Sequence, residues 1–221
     1  MSLLHPSSIG KKLLQSITGL ALVIFLTFHA VMNIFVVIGD GHIYDAICEF
    51  LGANWYALIG TLGLALLMVL HFLNSFVLTF QNYRARGSQR YAVSKRPNGV
   101  EWASQNMLVL GIVVVGFLLL HLLNFWYKMQ LQEILGNELA MSGAEFVRSL
   151  FSHWVYCLLY MIWLVALWFH LTHGIWSGIQ TLGWNNNTWL KRWRCISNIY
   201  ATCVCGLFFI IPLYYLILII F

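Results

Sequence analysis

Five long stretches without a single charged residue constrain this chain more than any other feature. They comprise residues 13–38, 55–82, 104–127, 154–182 and 196–221. A helix needs about 20 apolar residues to cross the hydrocarbon core of a bilayer. Because lipid offers no hydrogen bonds, backbone groups at that depth must be satisfied within the segment, as they are in a helix. The sequence therefore predicts an all-α membrane protein: one domain, residues 1–221, built as a bundle of five transmembrane helices.

The composition excludes most soluble classes of protein. Hydrophobic residues make up 61% of the chain and charged residues 9%, whereas a typical globular domain has about 25% charged residues. Such a chain cannot cover a water-facing surface. A soluble enzyme, a disordered chain and a nucleic-acid-binding domain are excluded, despite the net charge of +5. The first stretch is too long for a cleaved signal peptide and is interpreted as a retained span.

The charged residues predict the orientation of the bundle. Ten of the twelve lysines and arginines fall in the N-terminal segment and in the loops 83–103 and 183–195, whereas six of the seven acids fall in the opposite loops. The exception is Glu101. Positive charge accumulates on the cytoplasmic side of membrane proteins. We therefore expect a cytoplasmic N-terminus and, after an odd number of spans, a periplasmic C-terminus.

Histidines recur inside four of the five stretches. They are His29, His71, His121 and the neighbours His170 and His173. An ionisable group at membrane depth is costly and by default marks a functional site. For any single histidine, the alternative is a neutral imidazole hydrogen-bonded to a neighbouring helix. Recurrence in four spans favours one shared function.

The depths of these histidines group them into two layers. At a rise of about 1.5 Å per residue, His29 and His121 lie about 24–25 Å from the cytoplasmic ends of their spans. His71 lies about 15 Å from that side, and His170 or His173 about 14–18 Å. A bis-histidine haem b needs two neutral imidazoles that face each other from different helices. The layers predict two haems b, an outer one on His29 and His121 and an inner one on His71 and either His170 or His173.

The inner ligand on the fourth span can be either of two histidines. The helix face of His170 carries small residues at helical spacing, among them Gly174 and Gly178. These leave room for a flat, wide ring, whereas Phe169 lies beside His173. We therefore prefer His170 as the ligand. His173 is interpreted as a group beside the haem or as the alternative ligand.

Three segments carry a resemblance to a known family. They are SSIGKKLLQSITG (Ser7–Gly19), HFLNSFVLTFQNYRAR (His71–Arg86) and FHLTHGIWSGIQTLGW (Phe169–Trp184). They resemble the cytochrome b subunit of succinate:quinone oxidoreductases, in the single-chain, five-span, dihaem form of succinate dehydrogenases and fumarate reductases. The resemblance covers essentially the whole chain. Its most specific element is the spacing of 42, 50 and 49 residues between successive histidines, one per span, and the family pairs the histidines of spans I with III and II with IV.

The resemblance implies electron transfer in the bacterial inner membrane. A flavoprotein subunit would interconvert succinate and fumarate, and an iron–sulfur subunit would exchange electrons with the inner haem. The outer haem would react with a quinone, menaquinone in this type. The chain would anchor both soluble subunits, contact membrane lipid and belong to a complex that can form a homodimer. A basic surface would dock the partners or, alternatively, contact anionic lipid; it comprises Arg84, Arg86, Arg90, Lys95 and Arg96.

Quinone reduction consumes protons, so a carboxylate near the outer haem is expected. The resemblance implies an acidic residue near the outer end of the second span. Glu49 lies closest to that position, and Asp45 is the alternative. Some family members carry a glutamate within the haem-binding span, but here Trp168 stands two residues before His170 and no predicted span contains an acid. A transmembrane proton relay through that carboxylate is not predicted.

Two other functions compete with this interpretation. The cytochrome b subunit of another quinone-linked complex, such as a hydrogenase or a formate dehydrogenase, would use similar histidines with other partners. The histidine spacing and the fourth-span motif argue against it. A histidine-containing transporter would be expected to show acids within its spans or ligands clustered at one depth. The sequence shows neither.

Overall fold

The structure is a computed structural model that describes residues 8–52, 54–86 and 101–221, without the side chain of Arg86. This part of the chain is helical and contains no strand. The helices are α1 (Ser8–Asn33), α2 (His42–Phe50), α3 (Trp55–Arg86), α4 (Trp102–Gln105), α5 (Met107–His121), α6 (Gln130–Ile134), α7 (Gly143–Phe151), α8 (Trp154–Thr181) and α9 (Asn187–Ile220). Two 3₁₀ turns, Ile34–Val36 and Gly39–Gly41, follow α1, and a π-helical turn, Leu122–Trp126, continues α5.

Five helical segments are long and apolar enough to cross a membrane, as the sequence predicts. They are Ser8–Val36, Trp55–Ala85, Met107–Trp126, Trp154–Thr181 and Asn187–Ile220. Large apolar side chains point outward from them; Leu62 of α3, for example, is 72% exposed. Apolar surface on this scale is expected where the surrounding solvent is lipid. The chain is a multi-pass membrane protein.

The last helix begins earlier than the sequence predicts. It starts at Asn187, so the prediction of a loop over 183–195 is wrong for most of that range. The side chain of Asn186 caps the helix by accepting hydrogen bonds from the backbone N–H groups of Thr188 and Trp189, at 3.0 and 2.8 Å. The basic residues of 191–194 lie before the apolar stretch 196–221 but within the helix. Lysine and arginine are good helix formers, so the helix can extend beyond the hydrocarbon core.

Helix α8 lies at the centre of the bundle. It packs against α9, α1 and α5, whereas α3 packs chiefly against α1. Its buried leucines and isoleucines meet small residues of α9 in one core cluster, which comprises Leu164, Leu167, Leu171, Ile175, Ile179, Ala201 and Cys205. Small residues allow helices to approach closely in lipid. A hydrogen bond of 2.9 Å from Trp168 Nε1 to Thr202 Oγ1 joins the same two helices.

Three short helices, α2, α6 and α7, close one end of the bundle, which we call the capped end. Helix α7 begins with a capping box, in which Ser142 and Glu145 each accept a hydrogen bond from the backbone N–H of the other. Asp45 of α2 accepts a hydrogen bond of 2.7 Å from the backbone N–H of Ala144 and so ties α2 to α7. These helices lie within loops of the predicted topology. The opposite end of the bundle carries α4 and the start of α9.

Candidate functional site

The four histidines predicted as ligands form two contacting pairs. The ring centres of His29 in α1 and His121 in α5 lie 5.9 Å apart. Those of His71 in α3 and His170 in α8 lie 6.4 Å apart. With metal–nitrogen bonds of about 2 Å and about 1.1 Å from each nitrogen to its ring centre, two axial imidazoles place their ring centres about 6 Å apart. Each pair therefore has the spacing of two axial ligands on one iron, in the combination that the predicted depths favour.

The two pairs occupy different levels of the bundle. His29 lies about 10 Å and His121 about 7 Å from the ends of their helical segments at the capped end. His71 and His170 each lie about 24 Å from the starts of α3 and α8 at that same end. The two pairs are thus separated by about 15 Å along the bundle. Two separate sites at two depths follow from this arrangement.

Three features around the pairs fit a flat metal-bearing group such as haem. Each pair offers the two nitrogens that a haem iron takes from a protein. The Nδ1 atoms of His121 and His170 are buried and have no hydrogen-bond partner in the described part of the chain. Gly19 lies so close to His71 that a Cβ would come within 2.9 Å of its Cε1.

The glycines beside His170 lie next to side chains of neighbouring helices. A Cβ on Gly174 would lie 3.5 Å from the methyl group of Met107, and one on Gly178 would lie 3.6 Å from Leu20. Whether they leave room for a flat ring stays a prediction. The closest approach of a glycine to one of the four histidines is that of Gly19 to His71, which sequence reasoning missed.

Polar side chains of α1 surround His71. The hydroxyl of Thr18 lies 3.2 Å from Nδ1 and donates its own hydrogen to a backbone carbonyl at 2.8 Å, so its oxygen can accept the Nδ1 hydrogen. Such a contact leaves Nε2 as the neutral nitrogen that a metal needs. The amide nitrogen of Gln15 lies 3.3 Å from Nδ1 and 3.2 Å from Nε2. Because these distances are nearly equal, the amide lies away from the lone-pair axis of either nitrogen.

Aromatic side chains enclose the other pair. The ring centres of Phe125, Trp163 and Tyr160 lie 5.2, 6.1 and 6.2 Å from that of His121. Phe25 stacks on His29 with a ring-centre distance of 5.3 Å. The π-helical turn directly after His121 is a deviation that recurs at functional sites. This apolar cage would keep water away from a group held between the two histidines.

His173 lies apart from both pairs and contacts Glu101. Its Nδ1 is 3.4 Å from Glu101 Oε2, which also accepts a hydrogen bond of 3.2 Å from Trp176 Nε1. The other carboxylate oxygen lies 3.6 Å from Nε of Arg194, whose guanidinium stands 4.5 Å above the Trp176 ring. The structure thus pairs His71 with His170 and assigns His173 to a polar cluster that joins the chain before α4 to α8 and α9.

We expect Glu101→Ala to lower the thermal unfolding midpoint of the purified protein. The substitution removes the acceptor of the largely buried Trp176 indole, and an unsatisfied buried donor costs about 1–3 kcal/mol. Glu101→Gln is the matched control, because the amide oxygen still accepts from Trp176, and we expect most of the stability to return. An unfolding midpoint in Glu101→Ala equal to that of the native protein would contradict a stabilising role of this cluster.

The acidic candidates for proton transfer lie at the capped end. Glu49 is exposed on α2, and its carboxylate makes no ion pair or hydrogen bond within the described residues. The carboxylate of Asp45 caps α7, where it also meets the positive end of the helix dipole. Glu133 of α6 packs its carboxylate against Gly52, where a Cβ would come within 2.5 Å of Oε2. The sequence places Glu133 among the acids of the opposite loops but gives it no role, because it falls in a predicted loop without a distinguishing motif.

The predicted basic surface lies only partly within the described residues. Arg84 stands near the end of α3 with its guanidinium 4.8 Å from the ring centre of Phe80. Arg86 is the last residue of α3. Arg90, Lys95 and Arg96 lie outside the described residues, so the docking surface stays a prediction.

No family model, no curated protein and no solved structure matches this chain. The histidine geometry is therefore the observation from which its function is inferred.

Proposed function

We propose that this chain is the haem b-containing membrane anchor of a succinate:quinone oxidoreductase, either a succinate dehydrogenase or a fumarate reductase, in the bacterial inner membrane. The proposal rests on one observation: four histidines form two pairs at two depths of the bundle, with the ring centres 5.9 Å apart in one pair and 6.4 Å apart in the other. His29 and His121 would be the axial ligands of one haem b, and His71 and His170 those of the other. Bound haem b supplies a site that takes up and releases one electron.

The residues around each pair would hold and insulate the group. Thr18 would accept the Nδ1 hydrogen of His71 and so orient that ring with Nε2 free to bind. Phe125, Tyr160 and Trp163 exclude water around His121. With the N-terminus in the cytoplasm, the His71–His170 pair lies nearer the iron–sulfur subunit. The His29–His121 pair then lies near the periplasmic, capped end, where a quinone would react.

The first test is a reduced-minus-oxidised spectrum of the purified chain with pyridine haemochrome quantitation. We expect two haems b per chain. A folded chain without haem would overturn the proposal and favour the transporter. Reduction of both haems by succinate, in membranes that contain the whole complex, would then separate this anchor from a hydrogenase or formate dehydrogenase subunit.

The proposal assigns Glu49 as the group that accepts a proton from quinol when quinol is oxidised. A positioned general base contributes about 100-fold or more to a rate, so Glu49→Gln should cut quinol oxidation by the whole complex to about 1 per cent or less, with both haem spectra intact. Glu133→Gln is the matched control, since it removes a carboxylate from the same end, and we expect it to keep its turnover. Unchanged turnover in Glu49→Gln, or loss in Glu133→Gln alone, would remove Glu49 from the mechanism.

A further inference from the structure

We propose that Asn74 is a positioning residue for His71: it turns the side-chain amide of Gln15 so that the amide nitrogen faces the imidazole and raises the midpoint potential of the haem bound there. This inference rests on the proposed function, because it concerns one of the two histidine pairs. It assigns a role to two polar side chains that are not themselves ligands.

The orientation of the Asn74 amide is determined by the main chain of α1. Asn74 lies one helical turn after His71 in α3 and is 9% exposed. Its amide nitrogen lies 2.8 Å from the backbone oxygen of Lys11 and 2.9 Å from Oε1 of Gln15. A backbone oxygen can only accept a hydrogen bond. The amide of Asn74 therefore has to face α1 with its nitrogen.

The orientation of Asn74 in turn determines that of Gln15. Both N–H groups of Asn74 are donated to oxygen atoms, so the atom of Gln15 that faces Asn74 is the amide oxygen. The nitrogen of Gln15 consequently faces His71, at 3.3 Å from Nδ1 and 3.2 Å from Nε2. A flip of the Gln15 amide alone would bring two donors against each other, which the hydrogen-bond network forbids.

The nitrogen of Gln15 lies over a face of the His71 ring. In the plane of the ring, an atom equally far from both nitrogens at this distance would collide with the carbon atoms of the imidazole. The position over the face leaves the lone pair of Nε2, which points outward in the ring plane, free to bind iron. Thr18 contacts Nδ1, so the two side chains of α1 act on different parts of the ring.

The amide dipole acts on the charge of a haem that His71 binds. The N–H end of an amide is partially positive, and it faces the imidazole. Inside a protein the effective dielectric constant is about 4–20, so a fixed dipole acts more strongly there than in water. Reduction adds an electron to the haem, and a positive partial charge beside its ligand stabilises the reduced form. A raised potential would favour electron transfer from the iron–sulfur subunit to this haem.

The test is a potentiometric titration of both haems in the full-length chain. Gln15→Met removes the amide and keeps the length of the side chain, so it should lower the midpoint potential of the inner haem. Asn74→Leu leaves the amide without its donor and should lower the same potential by a smaller amount. The matched control is Ser75→Ala, because that hydroxyl donates within α3, to the backbone oxygen of Phe72, and we expect no shift.

A double variant separates positioning from a merely structural role. If Asn74 acts through Gln15, Asn74→Leu should add no further shift to a chain that already carries Gln15→Met. The outer haem should keep its potential in both single variants and in the double variant. A further shift as large as that of Asn74→Leu alone would show that Asn74 acts independently of Gln15 and would overturn the inference.

The remaining outcomes distinguish this inference from the proposed function. A native chain without haem would overturn the proposed function. Two haems of unaltered potential in Gln15→Met and Asn74→Leu would overturn the inference alone, and so would equal shifts of both haems. If Asn74→Leu fails to fold, Gln15→Met decides, because an unshifted inner haem in that variant contradicts the role of the amide.

Discussion

Replacing His29, His71, His121 or His170 with alanine, one at a time, is expected to halve the haem content of the chain. Each substitution removes one imidazole of a pair whose ring centres lie 5.9 or 6.4 Å apart. The other pair lies about 15 Å away along the bundle and keeps both of its imidazoles. Pyridine haemochrome quantitation should fall from two haems per chain to one in every variant.

Which of the two haems is lost tests the pairing of the histidines more directly than the number of haems per chain does. His29→Ala and His121→Ala should lack the same spectral component, and His71→Ala and His170→Ala should lack the other. His173→Ala is the control, because His173 contacts Glu101 and neither pair, and it should keep both components. A haem lost from His173→Ala and retained in His170→Ala would reverse the ligand assignment on α8.

Gly19→Val is expected to abolish the haem of the His71–His170 pair and spare the other one. A Cβ at this position would lie 2.9 Å from His71 Cε1, closer than side chains approach each other in proteins, and valine adds two methyl groups beyond it. Because bundle interiors are densely packed, the imidazole has to leave its position facing His170. Haem content should fall to one per chain, with the potential of the His29–His121 haem retained.

The matched control for that substitution is Gly60→Val in α3. The same side chain is added within a spanning helix, but no atom lies within 4 Å of the new Cβ. We expect two haems per chain in this variant, and Gly19→Ala, with a single methyl group, should fall between the two. Native haem content and potentials in Gly19→Val would show that the close approach of α1 to His71 has no role in ligation.

The part of the fold that the sequence predicts is the part that lipid dictates. A helix rises by a constant amount per residue and has to be apolar across the bilayer, so the spans and the relative depths of His29 and His121 follow from counting. The short helices at the capped end depend on tertiary contacts, such as that of Asp45 with the start of α7. No sequence pattern within residues 42–50 or 143–151 predicts such a contact.

Counting residues along a helix also does not predict the direction in which a side chain points around the helix axis. Gly19 meets His71 because α1 and α3 are rotated in a particular way, and neighbouring glycines on α8 meet ordinary side chains instead. The choice between His170 and His173 depends on the same rotation. Glu101, 72 positions away from His173, contacts it and so distinguishes the two histidines.

The peripheral place of α3 has a consequence for assembly. This helix packs chiefly against α1 and directs most of its surface outward, yet it supplies His71, whose partner His170 belongs to the central helix α8. On the proposed function, an iron shared by these two residues is a cross-link between helices that otherwise scarcely touch. Metal binding and folding are then thermodynamically coupled. The second span would then be held by two attachments, its packing against α1 and the shared prosthetic group, and loss of that group would leave chiefly the first.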